Sequence, residues 1–410
     1  MDSKLFDATV MFVSFLLVIA SYLLVVWKDR SWINWATPTI ILSIGAKYVF
    51  QGFYLWMSTD PGGSSYAYAY CYATYALSFL VGSLVYAYVK PLKLRDAEVS
   101  EDFSHLPWLL LLIGFLLYLP ILIQFHQYLA EPRRIYELTR TGYGLPFYGS
   151  TTFVSLAFVV FLFRKDKSVK STAAFFSLCM LLAYWHGSKG QIITYALIWM
   201  MHRVYVRGIP VRILAASAMA VSIAVLLIGS FALFSSAGDI ADTLVSVSDY
   251  ADYVRNAMLV IDDPHGRIYY GRLMLENEFY SRVPRAILPD KPKDFGPFLL
   301  AKIYNPASYR LDEGTGAFDL GVTYADFGPC ALLAVCAYSA LAAFLMSTLA
   351  WKLRRGAGPG VFIAFLYLAG VGIIPISGPF YLPESILLGV IVTWLARFRL
   401  LRRIGMRSNR

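Results

Sequence analysis

Of the 410 residues, 58% are hydrophobic, 16% aromatic and only 15% charged, with a formal net charge of +10. This balance excludes a water-soluble globular domain and places the chain among integral membrane proteins.

Apolar runs of roughly 17–25 residues, each long enough to cross a ~30 Å hydrocarbon core as a helix, recur along the chain. They fall near 6–27, 35–57, 67–89, 106–126, 147–163, 171–185, 190–202, 213–235, 328–351, 359–377 and 385–400, the sixth and seventh being short. The pattern predicts an all-α polytopic membrane protein of about eleven transmembrane helices, organised as a single integral domain over 1–410. Lys28, Asp29 and Arg30 follow the first run with no small-residue cleavage site, so it reads as a retained helix.

Basic residues flanking a span are retained in the cytoplasm. Lys28/Arg30, Lys90/Lys93/Arg95, Arg164/Lys165/Lys167/Lys170, Arg203/Arg207/Arg212, Lys352/Arg354/Arg355 and the tail from Arg397 to Arg410 all fall in alternate connections. That predicts an external N-terminus and a cytoplasmic C-terminus. Cys71, Cys179, Cys330 and Cys336 lie within or at the edge of spans and read as packing residues. Neither a disulfide nor a metal site is expected.

Two external segments interrupt otherwise short connections, at 127–146 and at 236–327, and a loop as long as the second is usually functional. Part of it, 238–261, has helical apolar spacing, consistent with an amphipathic helix on the membrane surface. Further cations outside the retention pattern, Arg133, Arg134, Arg140, Lys189, Arg255, Arg267, Arg272, Arg282, Arg285, Lys291, Lys293, Lys302 and Arg310, sit mostly in these loops. Guanidinium groups pair with phosphate through two hydrogen bonds, so the excess points to an anionic ligand such as a lipid-borne pyrophosphate. The alternative is a solvated face that touches anionic lipid.

Arg282-Val283-Pro284-Arg285-Ala286-Ile287-Leu288-Pro289-Asp290-Lys291-Pro292 packs three cations and three prolines into eleven residues. Prolines restrict the unfolded and unbound chain, which suits either an anion clamp or a rigid structural turn. His186-Gly187-Ser188-Lys189-Gly190-Gln191 joins the two short apolar runs, and a lysine at a helix start with free N–H groups offers an oxyanion site or merely snorkels from a tight turn. Lys47 and Gln51, one turn apart in the second run, are costly in lipid and should face a cavity or partner. Tyr66, Tyr68, Tyr70, Tyr72 and Tyr75 offer faces for sugars or an interfacial belt. The acids open to a general-base role are Glu276, Glu278, Asp290, Asp294, Asp312, Glu313, Asp319 and Asp326. There is no Ser/His/Asp arrangement, P-loop or dinucleotide fingerprint.

With these features the chain resembles the O-antigen polymerases, the Wzy family of bacterial oligosaccharide repeat-unit polymerases. Members are similar in having 10 to 14 spans, two external loops with the second larger, and an Arg followed eleven positions later by Gly in each. Arg133 with Gly144 fits in the first loop and Arg285 with Gly296 in the second, although Arg255/Gly266 and Arg310/Gly321 share the spacing. The Pro-Arg-x-x-x-Pro-x-Lys-Pro setting of Arg285, the run Gly187-Ser188-Lys189-Gly190 and the run from Gly321 through Tyr324 to Gly328 are also similar. Many members have Arg in place of Lys189, and a lysine keeps the charge without the bidentate geometry.

The resemblance implies a metal-independent, cofactor-free glycosyltransferase of the GT-C type in the bacterial inner membrane, its active site facing the periplasm. It would move a growing glycan from undecaprenyl pyrophosphate onto the non-reducing end of the next lipid-linked repeat unit. Arg282, Arg285, Lys291 and Lys189 would hold the donor pyrophosphate. Arg133, Arg134 and Arg272 would orient the acceptor, with Arg310, Lys47 and Tyr324 as further substrate contacts, and Glu278 or Asp319 would act as base. Implied partners are a flippase (Wzx-like) and a chain-length regulator (Wzz-like), with no nucleic acid. The alternatives are an O-antigen ligase, and a flippase or transporter of lipid-linked sugars, the latter disfavoured by the odd span count and long loop.

Overall fold

A computed structural model describes residues 3–57, 63–93, 105–139, 143–164, 167–187, 189–222, 252–283, 287–310, 318–373 and 382–397. Among the described residues every regular element is helical and no strand occurs. The first span is α1 (Ser3–Asp29), followed by α2 (Thr37–Ser43) and α3 (Gln51–Met57) with a π-helical turn, Ile44–Phe50, between them. Next come α4 (Ser65–Tyr88), α5 (Leu106–Gln124), α6 (Pro132–Thr139), α7 (Gly144–Leu162), α8 (Val169–Trp185), α9 (Lys189–Met201) and α10 (Ile213–Ser222). In the long loop lie α11 (Asp252–Ile261), α12 (Arg272–Arg282), α13 (Pro297–Tyr304), α14 (Pro306–Arg310) and α15 (Leu320–Phe327). The chain then returns to α16 (Ala331–Arg354), α17 (Pro359–Leu368) and α18 (Leu382–Arg397).

Four helical stretches, Lys4–Asp29, Ser65–Tyr88, Leu106–Gln124 and Leu320–Arg354, are long and apolar enough to span a bilayer, and shorter apolar helices accompany them. Helix stands in the described part of each of the eleven expected positions, with 223–235, 374–377 and 398–400 outside the described residues, and the chain is an all-α polytopic membrane protein. The second span departs from a plain helix. Its π-turn carries Lys47, and such turns, rare in general, recur at functional sites because they re-aim side chains.

The chain divides into two compact units, one of Met1–Lys28, Thr39–Val89 and Ser236–Phe344, the other of Asp29–Pro38, Lys90–Ser235 and Leu345–Arg410. In the first, α11 is not free to lie on a membrane surface, at least over the described part of 238–261. Its apolar face, Val254, Ala257, Met258 and Ile261, is buried with Ala67, Tyr68, Cys71 and Tyr72 of α4. Asp262 fastens the end of α11 to the start of α4 by accepting hydrogen bonds from the backbone N–H and hydroxyl of Ser64, the N-cap of that helix.

In the second unit, small residues allow close crossings where lipid supplies no hydrophobic drive between helices. A methyl on Gly360 of α17 would stand 2.7 Å from the Gly389 carbonyl oxygen of α18. The buried Asp29 carboxylate binds Arg354 at 2.6 Å and accepts from the Tyr205 hydroxyl at 2.5 Å, while Trp32 N–H donates to the Val211 carbonyl and Leu92 N–H to Thr348 Oγ1. Four of the Lys/Arg-rich connections of this unit therefore gather at one end of its helices.

The α8–α9 turn is tied to α6 by geometry that only glycine satisfies. Gly187 has φ +65°, and a Cβ there would lie 2.4 Å from the Pro132 carbonyl oxygen. Gly187→Ala is expected to lower the detergent melting temperature by several degrees. Gly190→Ala, where the added methyl meets nothing within 4 Å, should leave it unchanged or raise it. Equal effects at the two positions would contradict the close approach.

Candidate functional site

The long loop is organised by one buried acid. Helix α12 begins after Gly271, whose side chain can cap nothing, and Asp326 of α15 performs the capping instead. Fully buried, it accepts from the N–H groups of Leu273 at 3.0 Å and Met274 at 2.9 Å, satisfying donors the helix leaves without internal partners. That anchor sets the direction of a helix bearing four of the expected or neighbouring charged groups. Arg272 pairs with Glu276 at 2.6 Å, and Arg282 with Glu278 at 2.6 Å, each at i,i+4 spacing.

Beyond α12, Gly296 takes φ +52° with its Cα packed on Asn277 and Leu273, which folds the proline-rich segment back along the helix. Lys291 lies there, its ammonium donating to the Val283 carbonyl at 3.2 Å and standing 5.1 Å from the Phe295 ring centre. Arg282, Lys291, Glu278 and Arg272 thus share one helix and its returning strand of chain. Arg285, between them in sequence, lies outside the described residues. Lys302 at 2.5 Å and Tyr309 donate to Asp294, and these hydrogen bonds hold its carboxyl below the usual carboxylate range.

The same unit contains a second charged centre that sequence reasoning listed only as separate residues. Lys47, in the π-turn, forms an ion pair with Asp319, stands 3.8 Å over the Tyr75 ring, and its carbonyl accepts from the Tyr72 hydroxyl. Tyr75 completes the triangle by donating to Asp319 at 3.2 Å. Asp319 adopts φ +43°, a strained conformation for a non-glycine residue and one that concentrates at functional sites. Tyr324, one turn along α15, meets Tyr70 edge to face at 5.2 Å. Tyr72 and Tyr75 of α4 therefore contact this centre, Tyr72 from within the buried core that it shares with Tyr68. The signal that could have joined Lys47 to Asp319 is the cost of a lone lysine in a span, which demands an acid from elsewhere in the chain.

Buried polar groups extend inward from this centre. Asp7 of α1, 1% exposed, and Gln51, fully buried, have side-chain oxygen and nitrogen atoms outside hydrogen-bond geometry among the described residues, with Ser65 and Tyr68 beside them.

Of the remaining expected residues, Arg133, Arg134 and Lys189 belong to the other unit, while Arg310 belongs to the first. Arg133 and Arg134 lie on α6, where Arg134 stands 4.5 Å over the Tyr128 ring and 3.8 Å from Glu131. Lys189 is the first residue of α9, two positions after Gly187, whose turn packs on the start of α6. His186 is structural: fully enclosed, it bonds Ser150 at 3.1 Å and stacks on Tyr118 at 3.9 Å. Arg310 ends α14, exposed, apart from the Arg272–Lys291 cluster in the chain.

Asp326→Ala is expected to cost about 2 kcal/mol of stability by orphaning two buried N–H groups, seen as a lower melting temperature and faster proteolysis near 283–296. Because its pKa is depressed on folding, Asp294 adds stability that is fully present above its unfolded pKa of about 3.9 and fades as pH falls. Asp294→Asn should accordingly shrink the loss of melting temperature between pH 5 and pH 3 (roughly that window), and an unchanged acid limb would exclude this contribution.

No family model matches the chain, and no solved structure matches it. Two curated relatives do. The chain is 31% identical over 404 residues to an O-antigen polymerase of Salmonella typhimurium, covering 96% of this chain and 97% of that one. It matches an O-antigen polymerase of Salmonella typhi with the same identity and coverage. Identity at this level along nearly the whole of both chains leaves no large segment unaccounted for, and the chain belongs to the O-antigen polymerase family.

Proposed function

We propose that this multi-pass inner-membrane glycosyltransferase moves the growing glycan from undecaprenyl pyrophosphate to the non-reducing end of the next lipid-linked repeat unit, at the periplasmic face and without a metal ion. The observation that supports this reading is the anchored helix α12, on which Arg272 pairs with Glu276 and Arg282 with Glu278, followed by a segment whose Lys291 returns to the Val283 carbonyl at the end of the helix.

The chemistry asks for two things. As the bond between the sugar anomeric carbon and the pyrophosphate oxygen breaks, negative charge grows on the pyrophosphate, and fixed cations lower the barrier by stabilising it. Arg282, Arg285 and Lys291 are assigned this role, and exchange of the Glu278 carboxylate on Arg282 and the Val283 carbonyl on Lys291 for phosphate oxygens would accompany substrate binding. The acceptor hydroxyl must also lose a proton. Of the two acids, Asp319 is 37% exposed against 12% for Glu278, and its strained backbone and tie to Lys47 fix its position, so Asp319 is assigned as the base. Arg133, Arg134 and Arg310 serve to steer the anionic lipid substrates. Orientation with the N-terminus outside agrees with the gathering of Lys/Arg-rich connections at one end of the second unit. A Wzx-like flippase would supply the substrate and a Wzz-like regulator would limit chain length.

Purified protein given a synthetic undecaprenyl-pyrophosphate repeat unit is expected to yield a ladder of repeat-unit masses on gels and by mass spectrometry. The ladder should persist in EDTA. Arg285→Ala and Arg282→Ala should each lower the rate by ~10²-fold or more, and Asp319→Asn by a similar factor with little change in KM. Transfer of a single finished glycan to a lipid A core acceptor, with no ladder, would identify a ligase instead.

A further inference from the structure

Across Tyr324 from the Lys47–Asp319 centre, the long loop forms a cavity of about 270 Å³ between α11, α13, α15 and the 263–269 connection. Three tyrosines line it, Tyr269, Tyr304 and Tyr324, together with Asp263, His265 and Arg267. Asp263 is held in place from within, accepting from the Tyr304 hydroxyl at 2.8 Å and from the His265 backbone N–H at 2.9 Å. A carboxylate has about four acceptor sites, so capacity remains on its oxygens. Arg267, exposed at the rim, makes no ion pair or hydrogen bond among the described residues. The wall is set by a rigid turn: Tyr269 N–H donates to the Ala325 carbonyl at 2.9 Å, and Tyr270 and Gly271 follow at φ +55° and +83°. Tyr270 is itself 85% exposed, a costly conformation and placement with no packing return.

We propose that this cavity is a saccharide subsite that seats one pyranose ring of the glycan. Tyrosine faces suit the apolar C–H face of a sugar, while a fixed carboxylate and an unengaged guanidinium suit its hydroxyls. The volume lies just below the ~300–1,000 Å³ of sites for drug-sized ligands, which fits one ring and not a whole repeat unit. A pyrophosphate is disfavoured because it would meet the Asp263 carboxylate, and an acyl chain because it would bury Asp263 and Arg267 without partners. The assignment rests on the glycan-polymerising reading above and adds to it a site that grips sugar, separate from the cations that hold phosphate.

The test uses full-length protein in detergent and the repeat-unit oligosaccharide freed from its lipid by mild acid, with binding read by saturation-transfer NMR. Ile303, 47% exposed on the cavity wall, and the exposed Arg267 tolerate change without loss of core packing. Ile303→Trp, which fills the cavity, and Arg267→Ala should each weaken oligosaccharide binding at least tenfold at an unchanged melting temperature, and inorganic pyrophosphate should not compete. Wild-type protein that fails to bind the oligosaccharide, affinity unchanged in both variants, or competition by pyrophosphate would each overturn the subsite. Ladder formation by wild-type protein from the lipid-linked unit is measured alongside. A ladder with no effect of the variants on sugar binding removes the subsite alone, whereas sugar binding without a ladder removes the polymerase reading.

Discussion

A lysine in the middle of an apolar span has to be answered by a negative charge, and the first compact unit is arranged around that requirement. An uncompensated Lys at the centre of a transmembrane helix costs roughly 2.5–3.5 kcal/mol on insertion scales. Lys47 meets the demand with Asp319, a residue 272 positions later at the end of the long loop. The π-turn aims the lysine, Tyr75 shields it on one side, and the strained backbone of Asp319 brings the carboxylate within reach. The loop is thereby fastened to the membrane helices by charge as well as by the apolar contact of α11 with α4.

A buried acid, Asp326, does for the loop interior what Asp319 does for its attachment. Asp326 caps α12 from a neighbouring helix, so the positions of Arg272 and Arg282 are inherited from a carboxylate that touches neither. Catalytic charge is most effective when it is held before the substrate arrives, since reorganisation would otherwise consume part of the stabilisation. Here Arg272, Arg282 and Lys291 are held by Glu276, Glu278 and a backbone carbonyl, and under the proposed function those partners give way to phosphate. In the other unit, Gly187 lets the α8–α9 turn touch α6, the helix that carries Arg134.

Membership in the O-antigen polymerase family explains why a protein with so few charges concentrates them in the loops. The substrate is a lipid-linked oligosaccharide, and with the proposed pyrophosphate donor the chain would need cations, aromatic faces and an acid rather than a nucleotide pocket.

The helical class, the recurring apolar runs and the excess of loop cations were legible in the sequence, because hydropathy over twenty residues is a local property that a bilayer enforces without help from tertiary contacts. Lys47 and Asp319 could be flagged individually for the same reason, as could Lys189 beside Gly187. Their grouping could not. That Lys47 meets Asp319, that Asp326 is a cap and not a base, that 252–261 packs on α4 instead of lying on a bilayer, and that Tyr304, Asp263 and Arg267 enclose a cavity all depend on contacts between residues far apart in the chain. Such contacts are chosen by shape, burial and the pairing of charges in three dimensions, and leave no periodic trace in sequence.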